Sequence, residues 1–234
     1  MTLLHICQKP DGMNEMDVQK IYPVLWSFRR CPYAIRARLA LQVSQCRVLL
    51  REILLKEKPS LFIDVSPKST VPVLVLPDGN VIEESLEIML WSLRQSDPRG
   101  WLEIWDRDKS YCKEFLDELD NKFKYDLDHY KYSSRFDPKK KEEYRNQGIC
   151  FLLRIEQQLK LNKAFISGKH FGLLDAATLP FVRQFRGVDE NWFDAQFWPY
   201  LHLWISKFLQ SKDFIAVMRK YQPWRPAEKG NLFP

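Results

Sequence analysis

A chain of 234 residues with 45% hydrophobic residues and a net charge of +6 is long enough for one large or two small domains and too apolar for global disorder. Its lysines and arginines are spread along the chain, which reads as a solvated surface and not as a nucleic-acid face, and no run of about 18 apolar residues is present to span a membrane. Residues 1–7 lack the basic start and the apolar length of a signal peptide. The five cysteines, at 7, 31, 46, 112 and 150, are odd in number, scattered and without metal spacing, so they point to a reducing compartment, the cytoplasm. Fifteen Phe, nine Tyr and eight Trp imply broad aromatic packing, including a hollow for an apolar ligand.

In chain order, residues 1–20 carry polar and turn residues and read as an extension. An apolar run at 21–26 reads as a buried strand, and a helix follows over 32–44, where Ile35, Leu39 and Val43 recur every four residues. Between them lies Ser27-Phe28-Arg29-Arg30-Cys31-Pro32-Tyr33-Ala34. Pro32 suits the first helical position, which makes Cys31 the N-cap. A thiolate there faces the free amides of Tyr33 and Ala34 and the positive end of the helix dipole. With Arg29 and Arg30 adjacent, the expected thiol pKa lies below the reference of about 8.5. The position of a second redox cysteine, three residues on, is Ala34, so a mixed disulfide on Cys31 needs a thiol from outside to resolve it; glutathione is the usual small one.

Residues 47–53 read as a second strand, parallel to the first across the helix. A polar span at 56–67 has room for a short helix around Leu61. Two apolar runs, 70–76 and 81–83, flank Pro77-Asp78-Gly79-Asn80 as a hairpin. Glu84-Ser85 opens a helix over 86–93. After the turn-rich 96–100 only helices are expected, over 107–131, 139–161, 173–186, 198–209 and 213–220, with Pro180 kinking one of them. The proline-rich tail, 222–234, reads as a surface segment. The change from mixed to helical pattern near 100 marks a boundary between an α/β domain at 21–96 and a helical one at 97–234.

Taken together, 21–220 resembles the cytosolic glutathione transferase family, in particular its cysteine-type classes, omega-like and glutaredoxin-like. The resemblance rests on Cys31-Pro32-Tyr33-Ala34 after the first strand, on Val71-Pro72 at the family's cis-proline, on Glu84-Ser85 at its γ-glutamyl site, and on Phe171-Gly172-Leu173-Leu174-Asp175-Ala176-Ala177 at its helical capping motif. It implies a thioredoxin-like N-terminal domain, an all-α C-terminal domain, glutathione as co-substrate and a homodimer. It also implies Cys31 as nucleophile, the Val71 and Pro72 backbone against the cysteinyl unit, Glu84 and Ser85 on the γ-glutamyl group, Lys58 on the glycine carboxylate, and contacts from Leu55 and Tyr33. Gly172 departs from the family's Ser or Thr, although Asp175 can still reach back to its amide.

The expected reaction is thiol transfer to a small electrophilic or disulfide substrate, by deglutathionylation or dehydroascorbate-type reduction. Conjugation of glutathione to apolar electrophiles and a non-catalytic binding role are the alternatives. The serine- and tyrosine-type classes use a hydroxyl near the first strand; Ser27 is close in sequence, but Cys31 holds the better electrostatic position. The electrophile pocket is expected between the domains, beside Tyr33 and the helices after Tyr111 and Leu173, with Phe115, Phe181, Phe185, Arg183 and Trp224 as candidate walls.

Overall fold

The computed structural model describes residues 21–226 and 228–234; the expected extension at 1–20 lies outside the described residues. The first part of the chain runs β1 (Val24–Ser27), α1 (Pro32–Ser44), β2 (Val48–Glu52), α2 (Ser60–Val65), β3 (Val73–Val75), β4 (Val81–Ile82) and α3 (Ser85–Gln95). Helices then follow as α4 (Glu103–Arg107), α5 (Lys109–Asp117), a π-helical turn (Glu118–Phe123), α6 (Lys124–Lys131), α7 (Lys141–Asn162), α8 (Leu173–Arg186), α9 (Glu190–Asp194), α10 (Pro199–Leu209) and α11 (Lys212–Val217). Among the described residues, no helix is long and apolar enough to cross a membrane.

A last strand, β5 (Asn231–Phe233), completes the sheet, whose order is β4-β3-β1-β2-β5, with β1 and β2 parallel and the other pairings antiparallel. Every residue of β1 and β2 is buried, as expected for strands covered on both faces. Leu25, Leu50 and Leu74 face α1, α3 and the helical region, while Val24, Trp26, Leu49 and Val73 face Phe62 of α2 and Trp224. This is the thioredoxin-like α/β arrangement followed by helices.

The tail corrects one expectation. Instead of lying on the surface it returns to the sheet as β5 (Asn231–Phe233), pairing Val48 with Phe233 and Leu50 with Asn231. The Trp224 amide donates to the Glu52 carbonyl at 2.7 Å, and its ring meets Trp26 edge-on at 5.0 Å. A proline-rich segment is still able to pair along a sheet edge, because an outer strand needs only part of its donors. Trp224 therefore belongs to the sheet packing and not to a pocket between the domains.

The departure at Gly172 has a local cause. Its φ of −143° is ordinary extended backbone, open to any residue. A Cβ there would sit 2.8 Å from the Ser167 Cβ and 2.9 Å from its Oγ, which is too close. Asp175 compensates by accepting the Gly172 amide at 3.1 Å. Gly172→Ser, which restores the polar cap, is thus expected to destabilise the protein by about 1–3 kcal/mol through overpacking; an unchanged urea midpoint would refute this.

Candidate active site

Cys31 stands where the sequence puts it. Its backbone is extended (φ −78°, ψ 123°), Pro32 opens α1, and the Ile35 amide reaches the Cys31 carbonyl at 2.9 Å. The cis peptide between Val71 and Pro72 brings the Val71 carbonyl to 3.5 Å from the Cys31 Sγ. The thiol is half-buried between the start of α1 and the turn before β3, with the amides of Tyr33 and Ala34 nearest to it.

The electrostatics differ from expectation in two ways. First, the cations that act on Cys31 are Arg36 and Lys124. Arg29 turns away: its amide donates to the Glu52 carboxylate at 2.7 Å and its guanidinium to the Met218 carbonyl at 3.4 Å. Arg30 lies over the Phe28 ring. Second, burial pushes the Cys31 thiol above the ordinary cysteine value, against the pull of the Ala34 and Tyr33 amides, Lys124 and Arg36. The cations are weak opponents because each has its own carboxylate. Arg36 forms a two-pronged pair with Asp120 at 2.9 and 2.8 Å, and Lys124 pairs with Asp128. A neutralised pair projects little field, so desolvation wins.

Arg36 organises the surroundings. It is only 2% exposed, and besides Asp120 it donates from Nε to the Ser85 Oγ at 2.9 Å. With its oxygen accepting from Arg36, the Ser85 hydroxyl keeps its own proton to donate. The guanidinium also stacks over Tyr33 at 4.9 Å and Phe181 at 5.3 Å. Arg36 thereby ties the start of α3 to the π-helical turn, a rare feature that often sits at functional sites. Glu84 is the N-cap of α3 and pairs with Lys68 at the surface.

Ser27 is excluded as the working hydroxyl. It is fully buried, and its Oγ accepts from Arg38 Nε at 2.8 Å. Leu55 and Lys58 lie on the loop between β2 and α2, at the same sheet end as Cys31, because β1 and β2 are parallel and pair Ser27 with Glu52. Tyr33 packs edge-on against Phe181 at 4.9 Å, and its hydroxyl lies 3.5 Å from the Asp120 carbonyl. Phe115 and Phe185 are core residues, and Arg183 lies over the Phe214 ring. Nothing local in the sequence brings Arg36, Asp120 and Lys124 to Cys31. Arg36 did leave a signal, a charge inside the apolar helical run 34–41, since a buried charge requires a partner.

Comparison with known proteins follows the same lines. A family profile described as "Glutathione S-transferase, N-terminal domain" matches residues 25–100. Glutathione S-transferase omega-1 of Rattus norvegicus is 27% identical over 184 residues, 78% of this chain and 74% of that protein. Its counterpart in Mus musculus is 26% identical over 211 residues, 89% of this chain and 85% of that one. The tau class glutathione S-transferase of mango, Mangifera indica, superposes with a TM-score of 0.69 at 26% identity, covering 86% of this chain and 94% of its own. With its thioredoxin-like sheet, its cis-proline beside a cysteine at a helix N-cap and its helical second part, the chain is similar to the glutathione S-transferases, whose N-terminal domain profile it matches over residues 25–100.

Proposed function

We propose that the protein is a glutathione-dependent thiol transferase with Cys31 as its nucleophile. The observation that carries this reading is the Cys31 sulfur at the start of α1, 3.5 Å from the Val71 carbonyl next to cis-Pro72. In the first step the Cys31 thiolate attacks the glutathione sulfur of a mixed disulfide. A Cys31–glutathione disulfide forms, the substrate's S–S bond breaks, and the substrate leaves as a thiolate that takes up a proton. In the second step a glutathione thiolate attacks the glutathione sulfur on Cys31, releasing glutathione disulfide and restoring the Cys31 thiolate. Among the described residues, the remaining cysteines are Cys46, Cys112 and Cys150. Cys46 follows the far end of α1, and the other two lie on α5 and α7, so none serves as a resolving partner.

In this reading the Val71 backbone pairs with the cysteinyl unit of glutathione, as an added strand would. The free amides at the start of α3, with the Ser85 hydroxyl, hold the γ-glutamyl carboxylate, and Glu84 takes its ammonium. Lys58 meets the glycine carboxylate, Leu55 adds contact beside it, and Tyr33 flanks the sulfur.

The raised thiol pKa shapes the rate. Each tenfold loss of thiolate is offset about threefold by greater intrinsic nucleophilicity. The reaction therefore persists near neutrality but accelerates as pH rises towards the thiol pKa, with no plateau below pH ~8. Mass measurement after incubation with oxidised glutathione tests this: one glutathione adduct on Cys31 is expected, forming faster at each higher pH. An adduct elsewhere, or none at any pH, would refute the proposal.

The raised pKa also favours a second reading. A Cys31 held as neutral thiol can donate a hydrogen bond to a bound glutathione thiolate, which then attacks an apolar electrophile. That is conjugation, and serine at position 31 would support it equally well.

A further inference from the structure

Cys31 is the last residue of a tight turn, 28–31, that leaves β1 and opens α1. Its amide donates to the Phe28 carbonyl at 2.9 Å. Neither Arg29 nor Arg30 has a positive φ, so the turn is of type I. One buried carboxylate, that of Glu52, holds this turn from the neighbouring strand. Its Oε1 accepts from the Arg29 amide at 2.7 Å, and its Oε2 accepts from the Arg38 guanidinium.

Arg38 is fully buried on α1, two helical turns or about 10 Å beyond Cys31. It also donates from Nε to the Ser27 Oγ at 2.8 Å and from Nη1 to the Val217 carbonyl at 3.2 Å. Glu52 therefore grips the chain on both sides of Cys31, the turn before it through Arg29 and the helix after it through Arg38. The grip hangs from fixed backbone. The Ile53 amide donates to the Ser27 carbonyl at 2.9 Å, and the Glu52 carbonyl accepts from the Trp224 amide at 2.7 Å.

Stability alone does not account for this arrangement. The attraction within a buried ion pair does little more than offset its desolvation, and apolar side chains of similar volume often serve as well. An apolar side chain cannot, however, accept from the Arg29 amide. Thiol–disulfide exchange needs three sulfurs in line, and a misplacement of about 1 Å at a reacting group can cost about a hundredfold in rate.

We infer that Glu52 is a positioning residue for the nucleophile: by holding the Arg29 amide and Arg38 together, it sets the Cys31 sulfur in line with the disulfide of its substrate. This rests on the thiol-transfer reading of Cys31.

Glu52→Ala would strand the Arg38 charge in the interior and endanger the fold. Arg29→Pro is the sharper test. It deletes the amide proton, spares the ion pair, and puts proline at a turn position that favours it. Arg29→Ala controls for the guanidinium, because it keeps the amide and loses only the bond to the Met218 carbonyl. Glu52→Asp keeps the charge beside Arg38 but is one methylene short of reaching both partners. In each full-length variant, with folding followed by its urea midpoint, two rates are mapped to Cys31 by mass: exchange with oxidised glutathione, which needs alignment, and alkylation by iodoacetamide, which needs far less. Arg29→Pro and Glu52→Asp are expected to slow exchange about tenfold or more while alkylation stays near the native rate. Arg29→Ala should match the native protein in both. Native exchange in Arg29→Pro, an equal loss in Arg29→Ala, or a parallel fall of both rates would overturn the inference while leaving Cys31 as nucleophile. A native protein that takes no adduct at Cys31 would instead overturn the thiol-transfer reading, and this inference with it.

Discussion

Cys31→Ser is expected to lower thiol-transfer turnover by about a thousandfold or more while leaving the protein folded and still able to bind glutathione. Removing a covalent nucleophile costs this much because the remaining groups bind and orient but cannot form the intermediate. Serine is nearly isosteric and is among the preferred N-cap residues, so the start of α1 should be as stable or more so. No other described cysteine can substitute: Cys112 is buried, while Cys46 and Cys150 lie on other parts of the fold. The two readings separate here. Under thiol transfer, reduction of a model disulfide by glutathione collapses. Under conjugation, attack of glutathione on a model aryl halide persists, because the serine hydroxyl donates to the bound thiolate as the neutral thiol would. Measuring both activities on one preparation decides between them, and undiminished disulfide reduction would remove Cys31 from the mechanism.

The parts of this site that were legible in the sequence are those set by short-range chemistry. Cys31-Pro32 after an apolar run gives a strand, a cap and a helix start within a few residues, each by backbone rules, and all three are found. The hairpin around Asp78-Gly79 and the cap at Glu84 are local in the same sense. What was not legible depends on residues far apart in the chain. Adjacency suggests a pull of Arg29 and Arg30 on Cys31, yet Arg29 is drawn to Glu52 and Met218, 23 and 189 positions away. Arg36 reaches Asp120 across 84 positions, and Asp120 sits in a π-helical turn without a sequence signature. The thiol pKa depends on distant residues in the same way. The amides that lower it are local, but the burial that raises it comes from the whole fold. The tail carries no local sign of its pairing, because β5 has only three residues and its partner strand lies far away in the chain.

The largest effect on stability is expected at Asp175, which takes no part in either proposed reaction. Its carboxylate is fully buried and accepts from four donors: the Ile166 amide at 3.0 Å, the Ser167 amide at 3.1 Å, the Gly172 amide at 3.1 Å and Trp204 Nε1 at 2.8 Å. These tie the segment before α8, the first turn of α8 and α10 to one side chain. Asp175→Ala strands all four donors in the interior. Each stranded donor costs about 1–3 kcal/mol, and a water entering the vacated space recovers part of it. A net loss of about 4 kcal/mol is therefore expected, a large share of the roughly 5–15 kcal/mol that holds a typical domain folded. Asp175→Asn keeps one acceptor oxygen but turns an amide towards the remaining donors, so it should fall about midway. Urea unfolding followed by tryptophan fluorescence reads the order native, Asn, Ala directly, because Trp204 reports on the same knot. Activity per folded molecule should stay near the native value in Asp175→Asn. An alanine variant as stable as the native protein would show that the knot contributes nothing, and an asparagine variant that is stable yet inactive would give Asp175 a part in the chemistry.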